Sequence, residues 1–193
     1  MNSAAHQQDT VEPVRDAIVL AGGSGTRMLP ASLYMPKETM PLIDTPLINH
    51  IFWEAIRSGV RRVHIVLSKR KITQLEGFFG SEIDDSLRRK VRPDLPNAAL
   101  GINESGTEII TYIQENPGGV GDAISIASRH INGPFLVLLG DNILLREHLG
   151  PTLASPENAS DASLKLVRSF EQNGVPCVGV VPVEQEVLLH AKH

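Results

Sequence analysis

The 193-residue sequence predicts an α/β domain with a mostly parallel sheet and helices on both faces. Two observations predict it. Short apolar runs alternate with stretches of helical spacing, and the links between successive runs are long enough for crossover connections rather than hairpins. Asp16 to Leu20 is a fully apolar run after its first residue, as expected of a covered parallel strand. Pro46 to Ser58 follows as a helix with Ile48, Ile51, Phe52, Ala55 and Ile56 on one side, and Gly59 stops it. Val63 to Leu67 is the second strand and Ile72 to Phe79 the next helix. Ser81 to Glu108 is a long polar excursion with room for a short helix before Pro93. Ile109 to Gln114 is a third strand, Val120 to Ile131 a helix, and Phe135 to Leu139 a fourth strand. Ala162 to Gln172 forms the last helix, Gly174 ends it, and Val175 to Val183 is expected to return to the sheet. Residues 1–15 read as a disordered lead-in, 16–183 as one α/β domain and 184–193 as a tail.

Directly after the first strand comes Leu20-Ala21-Gly22-Gly23-Ser24-Gly25-Thr26-Arg27, and Pro36-Lys37-Glu38 follows it. Three glycines allow a sharp turn whose successive N–H groups form a concave anion site with no Cβ in the way. Arg27 adds a planar fork and Lys37 a compact point charge, both suited to phosphate oxygens. A P-loop would need Gly-Lys-Ser/Thr where Gly25-Thr26-Arg27 stands, and the dinucleotide fingerprint would need glycine or alanine at Met28. A glycine-rich turn without a ligand is the bland alternative, and the two cations at their offsets weigh against it. Asp141 follows the fourth strand in Leu139-Gly140-Asp141-Asn142. A carboxylate at a strand's carboxyl end beside a phosphate loop suits a magnesium ion, the alternative being a plain turn residue.

Composition narrows the partners. The formal net charge of −4 argues against nucleic-acid binding. The clusters Lys69-Arg70-Lys71 and Arg88-Arg89-Lys90 have no aromatic residues interleaved for base stacking and are expected to be solvated helix faces. No apolar stretch is long enough to span a bilayer and the polar start lacks a signal-peptide core, so the expected compartment is the cytoplasm, with no membrane partner. Cys177, the only cysteine, is expected to be a small core residue. His64 alternates with apolar neighbours and is expected to be structural, Trp53 to be helix packing, and the pair His190 and His193 at the chain's end is not expected to hold a metal.

The segment Leu20 to Pro46 resembles the signature of the sugar-1-phosphate nucleotidyltransferase family, and Pro36-Lys37-Glu38-Thr39-Met40-Pro41-Leu42 is closest in form to its UTP-using, glucose-1-phosphate branch. Gln114 to Ala123 resembles that family's base-recognition loop, and Leu139 to Asn142 its metal-binding turn. The resemblance implies a Rossmann-like nucleotidyltransferase half-fold that transfers a uridylyl or thymidylyl group from UTP or dTTP to a sugar 1-phosphate and releases pyrophosphate, with Mg²⁺ as cofactor. It implies Arg27 and Lys37 as catalytic residues. It implies nucleotide contacts from Leu20, Ala21, Gly22, Gly23, Gly25, Thr26, Gln114, Pro117, Gly119 and Asp141, with Asp141 also holding the metal. A homo-oligomer is expected. The short molybdenum-cofactor guanylyl- and cytidylyltransferases share the glycine loop, but Gly140-Asp141-Asn142 and Pro36-Lys37-Glu38 favour sugar activation.

The family's second half, with the glutamate and lysine that grip the sugar phosphate and a second metal carboxylate, has no counterpart before His193. Two readings therefore stand: a nucleotidyltransferase domain, or a non-catalytic nucleotide-binding or regulatory module, or truncated fragment, that binds the triphosphate without efficient turnover.

Overall fold

The computed structural model describes residues 11–80, 85–91, 93–94, 106–116, 118–145, 150, 153, 155–180 and 182. Its centre is a four-stranded sheet of β1 (Asp16–Leu20), β4 (Arg62–Ser68), β5 (Glu108–Gln114) and β6 (Phe135–Leu139). The strands are ordered β5-β4-β1-β6, and every pair is parallel. A small antiparallel hairpin of β2 (Pro41–Leu42) and β3 (Thr45–Pro46) lies between β1 and the first helix.

Side chains leave the strands alternately on the two faces, and each face finds a helical cover. On one face Ala17, Val19, Val63, Ile65, Leu67 and Leu136 pack with Ile48, Ile51, Phe52 and Ala55 of helix α1 (Leu47–Arg57). Leu75 of α2 (Lys69–Gly80) joins that core. On the other face Ile18 and Val66 meet Ala123 and Ala127 of a later helix, numbered α4 after the short α3 (Asp85–Arg88) and running Gly119–Ser128. The last helix, α5 (Ala162–Asn173), returns to the first face through Val167. Glu54 of α1 ties it down, accepting from the Ser163 N–H at 3.1 Å and the Ser163 hydroxyl at 2.6 Å. The buried carboxylate thus satisfies one of the free donors of α5's first turn, while burial pushes the Glu54 pKa up. The α/β class with a mainly parallel, doubly covered sheet is what the alternation of runs predicts.

Three expectations are corrected. Residues 175–180 and 182 pair with no strand, and Val175, Val178 and Val180 are 61%, 84% and 85% exposed. The run contains Pro176 and Pro182, which have no N–H to give a ladder, and Gly179 between them. Having left α5 through Gly174 at φ +67, the segment follows the surface of that helix, with Cys177 Sγ 3.4 Å from the Leu166 carbonyl oxygen. Cys177 is accordingly exposed, not a core residue. Residues 11–15, read with the lead-in, are docked: Val14 is buried in the core, its N–H donates to Glu171, and the Arg15 carbonyl accepts from Arg61 and Arg62. Residues 1–10 and 184–193, and with them His190 and His193, lie outside the described residues.

Candidate nucleotide site

All four parallel strands end on one side, at Leu20, Ser68, Gln114 and Leu139, and the connections that leave those ends enclose a cleft of about 730 Å³. A crevice beyond the carboxyl ends of the strands is where sheets of this kind take ligands. Four basic residues, Lys37, Lys69, Arg70 and Lys71, and two acidic ones, Glu115 and Asp141, line it together with Leu20, Val120, Ala123 and Leu139. An excess of cations around a hollow with apolar side chains in its wall suits an anion that carries an apolar group.

The loop after β1 forms one wall. Gly25 sits at φ +69, a conformation that L side chains rarely adopt, and the Ser32 hydroxyl donates to its carbonyl at 2.7 Å. At Gly22 the reason for glycine is space: a Cβ there would lie 3.0 Å from Gln114 Oε1, so the loop and the end of β5 approach closely because no side chain intervenes.

Behind the loop lies a row of alternating charges. Lys37, in the 3₁₀ turn Lys37–Thr39, pairs through Nζ with Asp141 Oδ2. Its Nζ is also 3.8 Å from Glu38 Oε1. Glu38 is fully buried, and both of its oxygens accept from Lys71 Nζ at 2.8 Å. Lys71 Nζ donates again to the Ala21 carbonyl at 2.8 Å, at the root of the glycine loop. Burial pushes the Lys71 pKa down, and the hydrogen bonds to Glu38 oppose it. The inner pair is closed and satisfied, whereas the outer Asp141 is exposed at the mouth. Lys37 thus lies between the buried Glu38 and the exposed Asp141.

Lys69 and Arg70 are exposed, as the reading of Lys69-Arg70-Lys71 as a solvated helix face expects, but Lys71 is buried and corrects it. All three line the cleft: Arg70 donates to the Ser32 carbonyl at 3.2 Å, and Lys69 reaches Glu115 at 3.3 Å. The available signal was position, because α2 begins at the carboxyl end of β4 and its first turn faces the crevice.

Of the residues singled out from sequence, the cleft brings together Leu20, Gly22, Gly23, Lys37, Gln114, Gly119 and Asp141. Ala21 is buried and contributes its carbonyl to Lys71. Gly25, Thr26 and Arg27 stand outside the lining, with Thr26 and Arg27 exposed in and around the 3₁₀ turn Thr26–Met28. Pro117 lies outside the described residues. Gln114 is buried at the end of β5, and its Nε2 donates to Asp122 Oδ2 at 2.7 Å and to the Gly119 carbonyl at 3.2 Å.

Among the described residues no three His, Cys, Asp or Glu side chains gather as a metal cage. The exposed Asp141 carboxylate beside a cationic cleft fits magnesium instead, since that ion keeps several waters and is commonly held by one or two carboxylates and substrate phosphates. No helix of the described residues is long and apolar enough to cross a membrane.

Residues 16–187 match the family described as nucleotidyl transferase. The chain is 32% identical over 178 residues to a UTP–glucose-1-phosphate uridylyltransferase of Streptococcus pneumoniae, covering 90% of this chain and 55% of that one. It is 34% identical over 183 residues to the protein of the same name from Staphylococcus haemolyticus, covering 92% and 58%. A solved UDP-glucose pyrophosphorylase complexed with UDP-glucose superposes with a TM-score of 0.63 at 26% identity, over 83% of this chain and 54% of that one. The chain thus spans somewhat over half the length of the curated relatives it matches. On the match across residues 16–187, and on a fold it shares with solved relatives, the chain belongs to the nucleotidyl transferase family.

Proposed function

We propose that residues 16–183 form the nucleotide-binding domain of an enzyme that transfers a uridylyl or thymidylyl group from UTP or dTTP to a sugar 1-phosphate, with glucose 1-phosphate the favoured acceptor. The observation that carries this reading is the ion pair of Lys37 with the exposed Asp141 at the mouth of a cationic cleft. The relatives support it, two by name and one by the UDP-glucose it was solved with.

In this reaction an oxygen of the sugar phosphate attacks the α-phosphorus of the triphosphate and pyrophosphate leaves. The attacking group is already an anion, so no protein nucleophile or strong base is required, and positioning and charge neutralisation remain. Lys37 turns from Asp141 to phosphate oxygens near the reacting phosphorus. The glycine loop offers its N–H groups to the triphosphate, Gln114 and Gly119 meet the base, and Arg27 swings in from outside the lining to neutralise the departing pyrophosphate. Asp141, released by Lys37, is the residue that would hold Mg²⁺, and the bound ion would neutralise charge on the triphosphate. A cytoplasmic location belongs to this reading. So does a homo-oligomer.

The test is calorimetric titration of the chain with UTP, dTTP, ATP and GTP, with and without Mg²⁺. The expected result is magnesium-dependent binding of the pyrimidine triphosphates and weaker binding of the purines. Absence of binding by every triphosphate would remove the proposal. Pyrophosphate release from a panel of sugar phosphates then separates transfer from binding without turnover.

A further inference from the structure

We propose that Asp122 sets the base preference of the cleft by locking the Gln114 amide in one orientation, so that it presents an acceptor and no donor to the base. The inference rests on the reading of the cleft as a pyrimidine nucleotide site. Gln114 ends β5 inside the cleft, and both groups at its Nε2 accept only: a carboxylate oxygen of Asp122 at 2.7 Å and the backbone carbonyl of Gly119 at 3.2 Å. Each takes one of the two amide hydrogens. A flipped amide would set Oε1 against two further oxygens, and all three would repel. Asp122 also stands in the first turn of α4, where the helix end favours a negative charge.

With its NH₂ fully engaged, Gln114 has only Oε1 to offer. That atom lies over Gly22, 3.0 Å from the place a Cβ would occupy, on the side of the cleft where the glycine loop begins. An acceptor fixed at this point matches a base edge with an N–H between two carbonyls, which is the edge of uracil and thymine. Cytosine has an unprotonated ring nitrogen in the same place, so the two lone pairs would face each other. Gln114 alone could read either base, because its amide can rotate to offer an oxygen or an NH₂. Asp122 removes that freedom. It does not touch the base and acts as a specificity-determining positioning residue.

The test measures dissociation constants of Mg-UTP and Mg-CTP for the full chain, for Asp122→Ala and for Asp122→Asn. The expected wild-type preference for UTP is about tenfold or more, the cost of leaving a buried polar group facing a like partner. Asp122→Ala should lower the ratio severalfold, mainly through a gain in CTP binding, because only the longer hydrogen bond to the Gly119 carbonyl at 3.2 Å then opposes turning the NH₂ toward cytosine. Asp122→Asn keeps an acceptor oxygen beside the Gly119 carbonyl and should keep most of the preference. Asp122 is exposed, so the thermal midpoints are expected to change little. If Asp122→Ala does not fold, Asp122→Ser, which also shortens the acceptor away from Gln114, takes its place. An unchanged ratio in the alanine variant would overturn the lock, and so would equal loss of preference in the alanine and asparagine variants. Wild type that binds UTP and CTP equally well overturns the lock alone, whereas wild type that binds no triphosphate overturns the nucleotide reading beneath it.

Discussion

Two clusters of charged side chains border the same sheet, and we read one as a ligand site and the other as a brace. At the amino end, Asp16 accepts from Arg62 Nε at 2.6 Å and from Arg62 Nη2 at 2.8 Å. Its Oδ1 is 2.9 Å from His64 Nε2, while the other ring nitrogen of His64 is 3.0 Å from the Tyr112 hydroxyl. The Tyr112 ring stacks between those of His64 and His130. At the carboxyl end run Asp141, Lys37, Glu38 and Lys71. The residue types are similar, and each cluster has buried members. Around Asp16 both carboxylate oxygens and both His64 ring nitrogens have protein partners in place, and none of these residues lines the cleft. In the second cluster only the inner half is closed, and the outer pair borders a cleft of about 730 Å³. On the proposed reading, charge alone does not mark a binding site, and a charged pair beside open volume does.

The comparison can be broken from either side. The largest expected effect is on the closed pair of the cleft. Lys71→Met leaves the fully buried Glu38 without its main partner, and denaturant unfolding at pH 7 should show a loss of about 3–5 kcal/mol. Adding Glu38→Gln to that variant should recover much of it, since an unpaired buried charge is then gone. Stability equal to wild type in the single variant would mean that Lys71 is not the group that satisfies Glu38.

A smaller effect belongs to the brace. The hydrogen bond from Arg62, aided by the contact with His64, holds the Asp16 carboxyl below its ordinary range against the opposing effect of burial. A carboxyl whose folded pKa is depressed contributes stability at pH above its unfolded value of about 4, and that contribution is lost as pH falls through the folded value. Unfolding free energies measured from pH 6 down to pH 2 should fall below about pH 4, and Asp16→Asn should flatten the slope there. An unchanged slope in Asp16→Asn would assign the acid sensitivity to other carboxylates.

Much of the fold was legible because the burial demanded of each strand is written as a short apolar run. Phe135 to Leu139 and Ile109 to Gln114 are strands within one residue of their expected limits, and Gly174 caps α5 where the pattern breaks. The run at 175–183 misled because its valines outweighed the two prolines that deny it a ladder. Gln114 and Asp141 were legible as site candidates since each ends or follows a strand that points at the crevice, and Lys37 because its charge follows the glycine loop in Pro36-Lys37-Glu38. Lys71 was not, because a lysine in a basic cluster looks solvated until the strand before it is seen to end beside Glu38. The pairing of Asp122 with Gln114 needed α4 folded back against β5. Residues eight apart in sequence carry no periodic signal of such contact.

The central claim is that the cleft charge is a ligand site and the Asp16 cluster is not. It is tested most directly by the affinity for Mg-UTP of wild type, Lys37→Ala and Asp16→Asn, measured by calorimetry under conditions where all three are folded. Lys37→Ala should weaken binding by about 1.5–3 kcal/mol, the range for a hydrogen bond to a charged group, while Asp16→Asn binds as wild type does. Wild-type affinity in Lys37→Ala, or an equal loss in both variants, would contradict the account.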